Sequence, residues 1–243
     1  MSDRDERLVA EVDGRAVTID VRRAARAKRM TLRIPPGDGN PVITIPARAS
    51  LRTVEPFVLQ QRGWLAARLS ERAPASPFAD GARVPLRGVP HVIVPKLNGR
   101  GTVAAGVAGG EPALFVTGRP EHLSRRLTDF FRREARADLT DAVAEFAEAV
   151  GRRPTALRIK DTRTQWGSCT PQGALSFSWR LVLAPPFVLR YVAAHEVAHL
   201  IELNHGPNFW ALNAKLDPNL EAARAWLRAN GRALHAVGGA ARG

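Results

Sequence analysis

The sequence predicts an α+β protein, and three patterns predict it. Short alternating stretches broken by Gly and Pro occupy most of the first half. A long amphipathic repeat follows, from about Pro120 to Val150. A third stretch, Phe187 to Leu203, is apolar on nearly all sides yet carries two histidines and two glutamates. Alternation with period two reads as half-buried strand, and recurrence every three or four residues reads as helix.

Taken in order, Leu8 to Glu11 and Ala16 to Val21 flank Asp13-Gly14, a dipeptide that favours a tight hairpin turn. Met30 to Ile34 and Val42 to Pro46 form a second strand pair around Pro-Pro-Gly-Asp-Gly. A helix is expected over about Leu51 to Arg72, with Val54, Phe57, Val58, Gln61, Trp64, Leu65 and Leu69 on one stripe. Ala73 to Pro77 reads as a linker. Residues 84 to 117 give more short strands, with Gly-rich turns at 98–101 and 109–110. Between Pro120 and Val150, Leu123, Leu127, Phe131, Ala135, Leu139, Val143, Phe146 and Val150 repeat at helical spacing, and Gly151 ends the helix. Its expected task is to pack behind the apolar helix. Thr155 to Lys160 and Ala174 to Val182 read as strands, and Pro185-Pro186 introduce that helix. The divisions expected are 1–75 (strands plus helix), 76–118 (short strands) and 119–243 (the core that carries the chemistry).

Composition narrows the classes. A chain of 243 residues, 45% hydrophobic, can bury a sizeable core. It has no run of eighteen apolar residues, so a membrane span is not expected. The first seven residues lack a signal-peptide apolar stretch, and the single cysteine, Cys169, has no internal disulfide partner. These features point to the cytoplasm. Net charge is +13, almost all from arginine. Such basicity can mark nucleic-acid contact. The one cluster, Arg22 to Arg29, has no interleaved aromatics to stack on bases. A solvated basic loop is the preferred reading there, with nucleic-acid binding as the alternative. Cys169 reads as a small apolar residue, Trp166 and Trp210 as walls of the core or cleft, and His91, His122 and His235 as surface residues.

The chemistry concentrates in residues 195–205, His-Glu-Val-Ala-His-Leu-Ile-Glu-Leu-Asn-His, which hold three of the six histidines. His195 and His199, spaced i and i+4, share one face of a helix and can hold one zinc ion, with Glu196 beside it as general base. Buried polar groups without partners are costly, and a metal would supply the partner for both rings. Glu202 is seven residues from His195, roughly 10 Å along a straight helix at about 1.5 Å per residue. Metal–ligand bonds are about 2 Å, so a third ligand must come from beyond the helix end. Asn204 suits a left-handed cap, Gly206-Pro207 stop the helix, and His205 can then swing back. His205 is preferred, with Glu221 as the alternative.

Three segments together resemble a known family. Tyr191-Val-Ala-Ala-His-Glu-Val-Ala-His and Asn204-His-Gly-Pro-Asn-Phe-Trp210 form one block. Arg163-Thr-Gln-Trp-Gly-Ser-Cys169 with Leu175 to Leu181 forms a second, and Arg22 to Ile34 with Trp64 a third. The chain so resembles the YgjP-like (DUF45) metal-dependent hydrolases, relatives of the SprT-type zinc proteases, over about residues 15 to 236. The resemblance implies a zincin-like core, His195, His199 and His205 as zinc ligands, and Glu196 as catalytic acid/base. It also makes Ala174 to Trp179 the candidate edge strand for extended substrate. Metzincins share the histidine spacing but have Gly where this chain has Glu202, which argues against membership of that group.

The expected reaction is zinc-dependent hydrolysis, first of all of a peptide bond, through a metal-bound water activated by Glu196. The alternatives are a zinc-dependent hydrolase of a non-peptide substrate such as a nucleotide, a protease acting on DNA-associated proteins, and a binding module with structural zinc. Arg163 and Arg180 could stabilise a transition-state anion or pair with Glu202. Imidazole ligands favour zinc over manganese or iron.

Overall fold

The computed structural model describes residues 6–35, 39–70, 76–98, 102–162 and 165–239. Arg163 lies outside them, as do parts of the turns at 35–39 and 98–101 and of the linker at 73–77. Among the described residues the chain forms three small sheets and six α-helices, an α+β fold. It divides into two compact units, 1–74 and 75–243. No described helix is long and apolar enough to cross a membrane.

In the first unit β1 (Glu6–Val12) and β2 (Arg15–Ala24) pair antiparallel across Asp13-Gly14. Both turn residues have positive φ, 49° and 71°, as a two-residue hairpin demands. β3 (Thr31–Arg33) pairs antiparallel with β4 (Val42–Pro46), which lies parallel to β2, giving the order β1-β2-β4-β3. The expected single helix is two, α1 (Leu51–Gln60) and α2 (Arg62–Ser70). The break falls at Gln61, whose N–H is shared between the carbonyls of Phe57 and Val58, just before Gly63. Val54, Val58 and Leu65 close a core on Ile19, Ile43 and Ile45. Trp64, placed on that stripe by the sequence, sits at its border and stays 40% exposed, because Leu65 takes the inward position.

The second unit opens with a sheet of the same plan. β5 (Arg83–Leu86), β6 (Val89–Lys96), β7 (Val103–Ala108) and β8 (Glu111–Thr117) run in the order β5-β6-β8-β7, with β6 parallel to β8. Its first hairpin turns at Arg87-Gly88, again with two positive φ values, 52° and 79°. The two sheets therefore share strand order, strand directions and first-turn type.

α3 (Leu123–Ala149) buries Leu127, Phe131, Ala135, Leu139, Val143 and Phe146, the stripe expected from the sequence. Gly151, at φ 67°, closes it, with the Arg152 N–H bonded back to Ala147. One core joins the strand residues Leu86, Ile93, Leu114 and Val116 to α3 and to Trp179, Val188 and Val192. The regions read from sequence as 76–118 and 119–243 thus lie in one compact unit. Phe131 stacks between Phe78 and Trp179, at 5.8 and 5.9 Å.

The third sheet has the order β10-β11-β9, from β9 (Ala156–Lys160), β10 (Gly167–Cys169) and β11 (Ala174–Ser178). β11 is central, parallel to β9 and antiparallel to β10. This corrects the sequence expectation that Ala174 to Trp179 is an edge. Both sides of β11 are already paired; β10 and β9 are the edges, and β10 is the one packed against α4. The strand expected to run on to Val182 turns at Trp179 into a 3-10 helix, Trp179–Leu183.

α4 (Pro186–Ala198) follows, buried along almost its whole length. The β5–β6 turn holds its start. The N–H groups of Arg87 and Gly88 donate to the carbonyls of Val182 and Leu183, at 2.7 and 3.1 Å. The Arg87 side chain reaches Asp138 and Glu134 on α3. A Cβ at Gly88 would lie 3.0–3.2 Å from Pro185, the residue before α4. Gly88→Ala should therefore cost about 1–3 kcal/mol, from the left-handed backbone and the Pro185 contact. A lower urea midpoint at unchanged slope is expected, and an unchanged midpoint would show that this turn does not brace α4.

Candidate metal centre

α4 ends earlier than the sequence pattern suggested. His199 is its C-cap, and the carbonyls of Val197 and Ala198 take 3-10-type bonds from Leu200 and Ile201. The left-handed cap expected at Asn204 is absent, since the described non-glycine residues with positive φ are Asp13 and Arg87. Tightening to 3-10 bonds satisfies the helix-end carbonyls and turns the chain without a left-handed residue. The loop re-enters helix at α5 (Pro207–Leu216), with Pro207 at its first position and Gly206 as extended N-cap.

This path brings the three histidines together. His205 Nε2 lies 3.0 Å from His195 Nε2 and 3.1 Å from His199 Nε2. One nitrogen from each ring falls in a group no more than 4.8 Å across. Neutral imidazoles with lone pairs facing one another repel, and a cation between them removes that repulsion. A tetrahedral ion with Zn–N bonds of about 2.0–2.1 Å would separate its nitrogens by about 3.3 Å. The donor set and its spacing fit such an ion. His195 and His199 are half-buried and His205 is exposed, so the cluster opens to solvent on one side.

The rings are held from behind. His199 Nδ1 lies 2.9 Å from the Glu202 carbonyl oxygen, and His195 Nδ1 lies 3.2 Å from the Asn213 side-chain nitrogen. The carbonyl contact orients the His199 ring and selects the tautomer with Nε2 free toward the cluster. Fully buried Phe209 touches all three imidazoles, at 4.9, 4.5 and 4.7 Å between centroids. Trp210 stacks on His205 at 5.7 Å. Burial, then the other two histidines and Arg224, pull His195 down to about 4, and burial lowers His199 as well. Their lone pairs are accordingly free at neutral pH.

Glu196 is buried, only 5% exposed, and burial raises its pKa to about 8. A Cβ on Gly167 would fall 2.5–2.8 Å from the Glu196 side chain, so this close approach of β10 to α4 requires glycine. A cleft of about 410 Å³ opens beside His195 and Glu196, lined among others by Trp166, Tyr191, Leu227, Arg224 and Arg228. The last three stand on α6 (Leu220–Ala236).

Other sequence readings resolve as follows. Glu221, the alternative third ligand, is exposed, pairs with Arg224 and lies outside the histidine group. Arg180 is buried, and its guanidinium pairs with Asp161 and lies over the Trp179 ring. His235 is not a free surface residue, because its ring stacks on Trp166 at 4.3 Å. Cys169 is half-buried on β10, and burial raises its thiol pKa. Phe209, Asn213 and Gly167 were not singled out from the sequence. The i, i+4 spacing of Phe209 and Asn213 after the Gly-Pro helix start was the available signal for the first two.

A family model described as YgjP-like, metallopeptidase domain, matches residues 28–230. The chain belongs to this metallopeptidase family. The match covers both compact units, not the histidine helix alone. Among solved structures, the crystal structure of the metallopeptidase zymogen of Pyrococcus abyssi abylysin is similar to it, with 18% identity over 39% of this chain and 93% of that one, at a TM-score of 0.34. No curated protein matches the YgjP-like chain significantly.

Phe209→Ala should remove the shared backing of the three rings. It should lower stability by about 3–5 kcal/mol in urea unfolding of the metal-free protein. A loss under 1 kcal/mol would mean the rings are held by other contacts.

Proposed function

We propose that the protein is a zinc-dependent metallopeptidase with a zincin-like core, in which His195, His199 and His205 hold the ion and Glu196 carries the proton. The observation that supports it best is the convergence of three Nε2 atoms beside a buried carboxylate. A bound zinc ion supplies Lewis acidity to the scissile carbonyl and lowers the pKa of water.

Glu196 accepts the proton of the attacking water and returns it to the leaving amine. Burial raises the proton affinity of Glu196, and a divalent cation held beside it acts in the opposite direction, favouring the carboxylate that accepts the proton. Extended substrate is proposed to pair with β10 rather than β11. The Trp166 carbonyl and the Thr170 N–H bond toward β11, so the backbone groups of Gly167 and Cys169 face the open edge. Main-chain pairing there would bring the scissile bond past Glu196.

The cleft also suggests a side-chain preference. Arg224, which pairs with the exposed Glu221, and Arg228 stand one turn apart on α6 and line the cleft together with His195 and Glu196. Such a pair suits a carboxylate of the substrate. The Arg224 charge already contributes to lowering the His195 pKa.

Two experiments test the reading. In the first, purified zinc-loaded protein is offered peptides and nucleotides, with Glu196→Gln and His199→Ala alongside. Peptide turnover is expected, lost at least 1000-fold in Glu196→Gln with zinc content unchanged, whereas His199→Ala should lose the zinc. Turnover of nucleotides alone would select the non-peptide reading, and full activity in Glu196→Gln would remove its assigned role. In the second, cleavage of an acidic-residue peptide series is compared with a basic series. The double variant R224E/R228E should shift preference from acidic toward basic peptides, and an unshifted preference would exclude these arginines from recognition.

A further inference from the structure

Asn213 and Asp217 are both buried, at 0% and 4% exposure, and both carry a side-chain oxygen without a hydrogen-bond partner. They stand one turn apart at the end of α5, where the Asp217 N–H donates to the Asn213 backbone carbonyl at 3.0 Å. Asp217 is the C-cap of α5, and this backbone bond sets it one turn beyond Asn213. Asp217 uses its other oxygen to accept the Asn219 N–H at 2.9 Å, which anchors the carboxylate. Asn213 faces His195 Nδ1 with its amide nitrogen at 3.2 Å, and its amide oxygen is the partnerless one.

Two costs thus stand side by side. A buried oxygen without a donor is unfavourable, because it has given up its bonds to water and gained none. In addition, the amide nitrogen meets a ring nitrogen that must itself be a donor whenever Nε2 turns its lone pair toward the other two histidines. A half-turn of the Asn213 amide removes both. The oxygen then accepts the His195 Nδ1–H, and the amide nitrogen, taking the place of the partnerless oxygen, is the donor we assign to the Asp217 oxygen that lacks one.

We infer that Asp217 and Asn213 form a relay that fixes the His195 ring for metal binding, in the order Asp217 carboxylate, Asn213 amide, His195 Nδ1–H. This rests on the reading of His195 as a zinc ligand. Neither residue touches substrate or ion; both are positioning residues. The carboxylate polarises the amide, and the amide oxygen holds the imidazole in the one tautomer that presents Nε2 to the cluster. The arrangement places an amide where a carboxylate or a backbone carbonyl commonly supports a ligand histidine. His199 has such a carbonyl, from Glu202.

The test measures zinc affinity by chelator competition on the full chain, using wild type, N213L, D217N and the exchanged pair N213D/D217N. N213L keeps the side-chain size and removes the acceptor, so affinity should fall about 10- to 100-fold. D217N should fall less, because the amide acceptor remains. The exchanged pair restores both an acceptor on His195 and a donor toward it, and should return to within about threefold of wild type. A purely structural role would not predict that recovery. Unchanged affinity in N213L overturns the relay while leaving the metal centre standing. Should N213L fail to fold, an exchanged pair more than tenfold weaker than wild type overturns it. If wild type itself binds no zinc, the metal reading and the relay fall together.

Discussion

An imidazole nitrogen of His205 lying 3.0 and 3.1 Å from those of His195 and His199 makes an arrangement that is unfavourable unless something positive lies between the rings. The rest of the second unit is organised around that constraint. Two of the rings come from one buried helix, so their separation follows from helix geometry alone. The third must return from outside the helix. Its return depends on α4 stopping at His199, on a turn closed by 3-10 bonds, and on Pro207 restarting the chain as α5. Phe209, two residues into α5 beyond that proline, then backs all three rings at once.

A helix that carries two histidines and a glutamate in an apolar interior has to be held firmly. α3 supplies one support through a continuous stripe from Leu127 to Phe146. The β5–β6 turn supplies another by bonding the backbone just ahead of Pro185. The short β10 strand supplies a third, where the missing side chain of Gly167 leaves room for Glu196. In the last two cases a backbone or a small residue makes the close approach, whereas α3 packs with long side chains.

The common plan of the two four-stranded sheets adds a second theme. β1-β2-β4-β3 and β5-β6-β8-β7 repeat the same pairing, and both first hairpins turn through two residues of positive φ. One turn uses Asp13-Gly14 and the other Arg87-Gly88. In the second sheet the turn arginine cross-links to Asp138 and Glu134 on α3. A turn residue whose backbone is set by the hairpin thus gains a long side chain for a separate task.

Local pattern carried much of this in advance. Histidine spacing, the apolar helix, the amphipathic repeat of α3 and the turn dipeptide Asp13-Gly14 depend on neighbours within a few residues, so periodicity alone reveals them. The same holds for His205, because Gly206-Pro207 limit where the chain can go. What local pattern left open or mistook depends on contacts between distant segments. The middle position of β11 arises from pairing with β9 and β10 on both sides. Arg180 is taken up by Asp161 across nineteen residues, and His235 is stacked on Trp166 from the far end of the chain. Asn213 and Asp217 look like ordinary polar positions on a helix until burial removes their water. The sequence by itself determined which side chains could grip an ion, since helical geometry ties His195 to His199. Only the tertiary structure decided what surrounds that grip, because burial and long-range pairing are properties of the packed chain and not of any short segment of it.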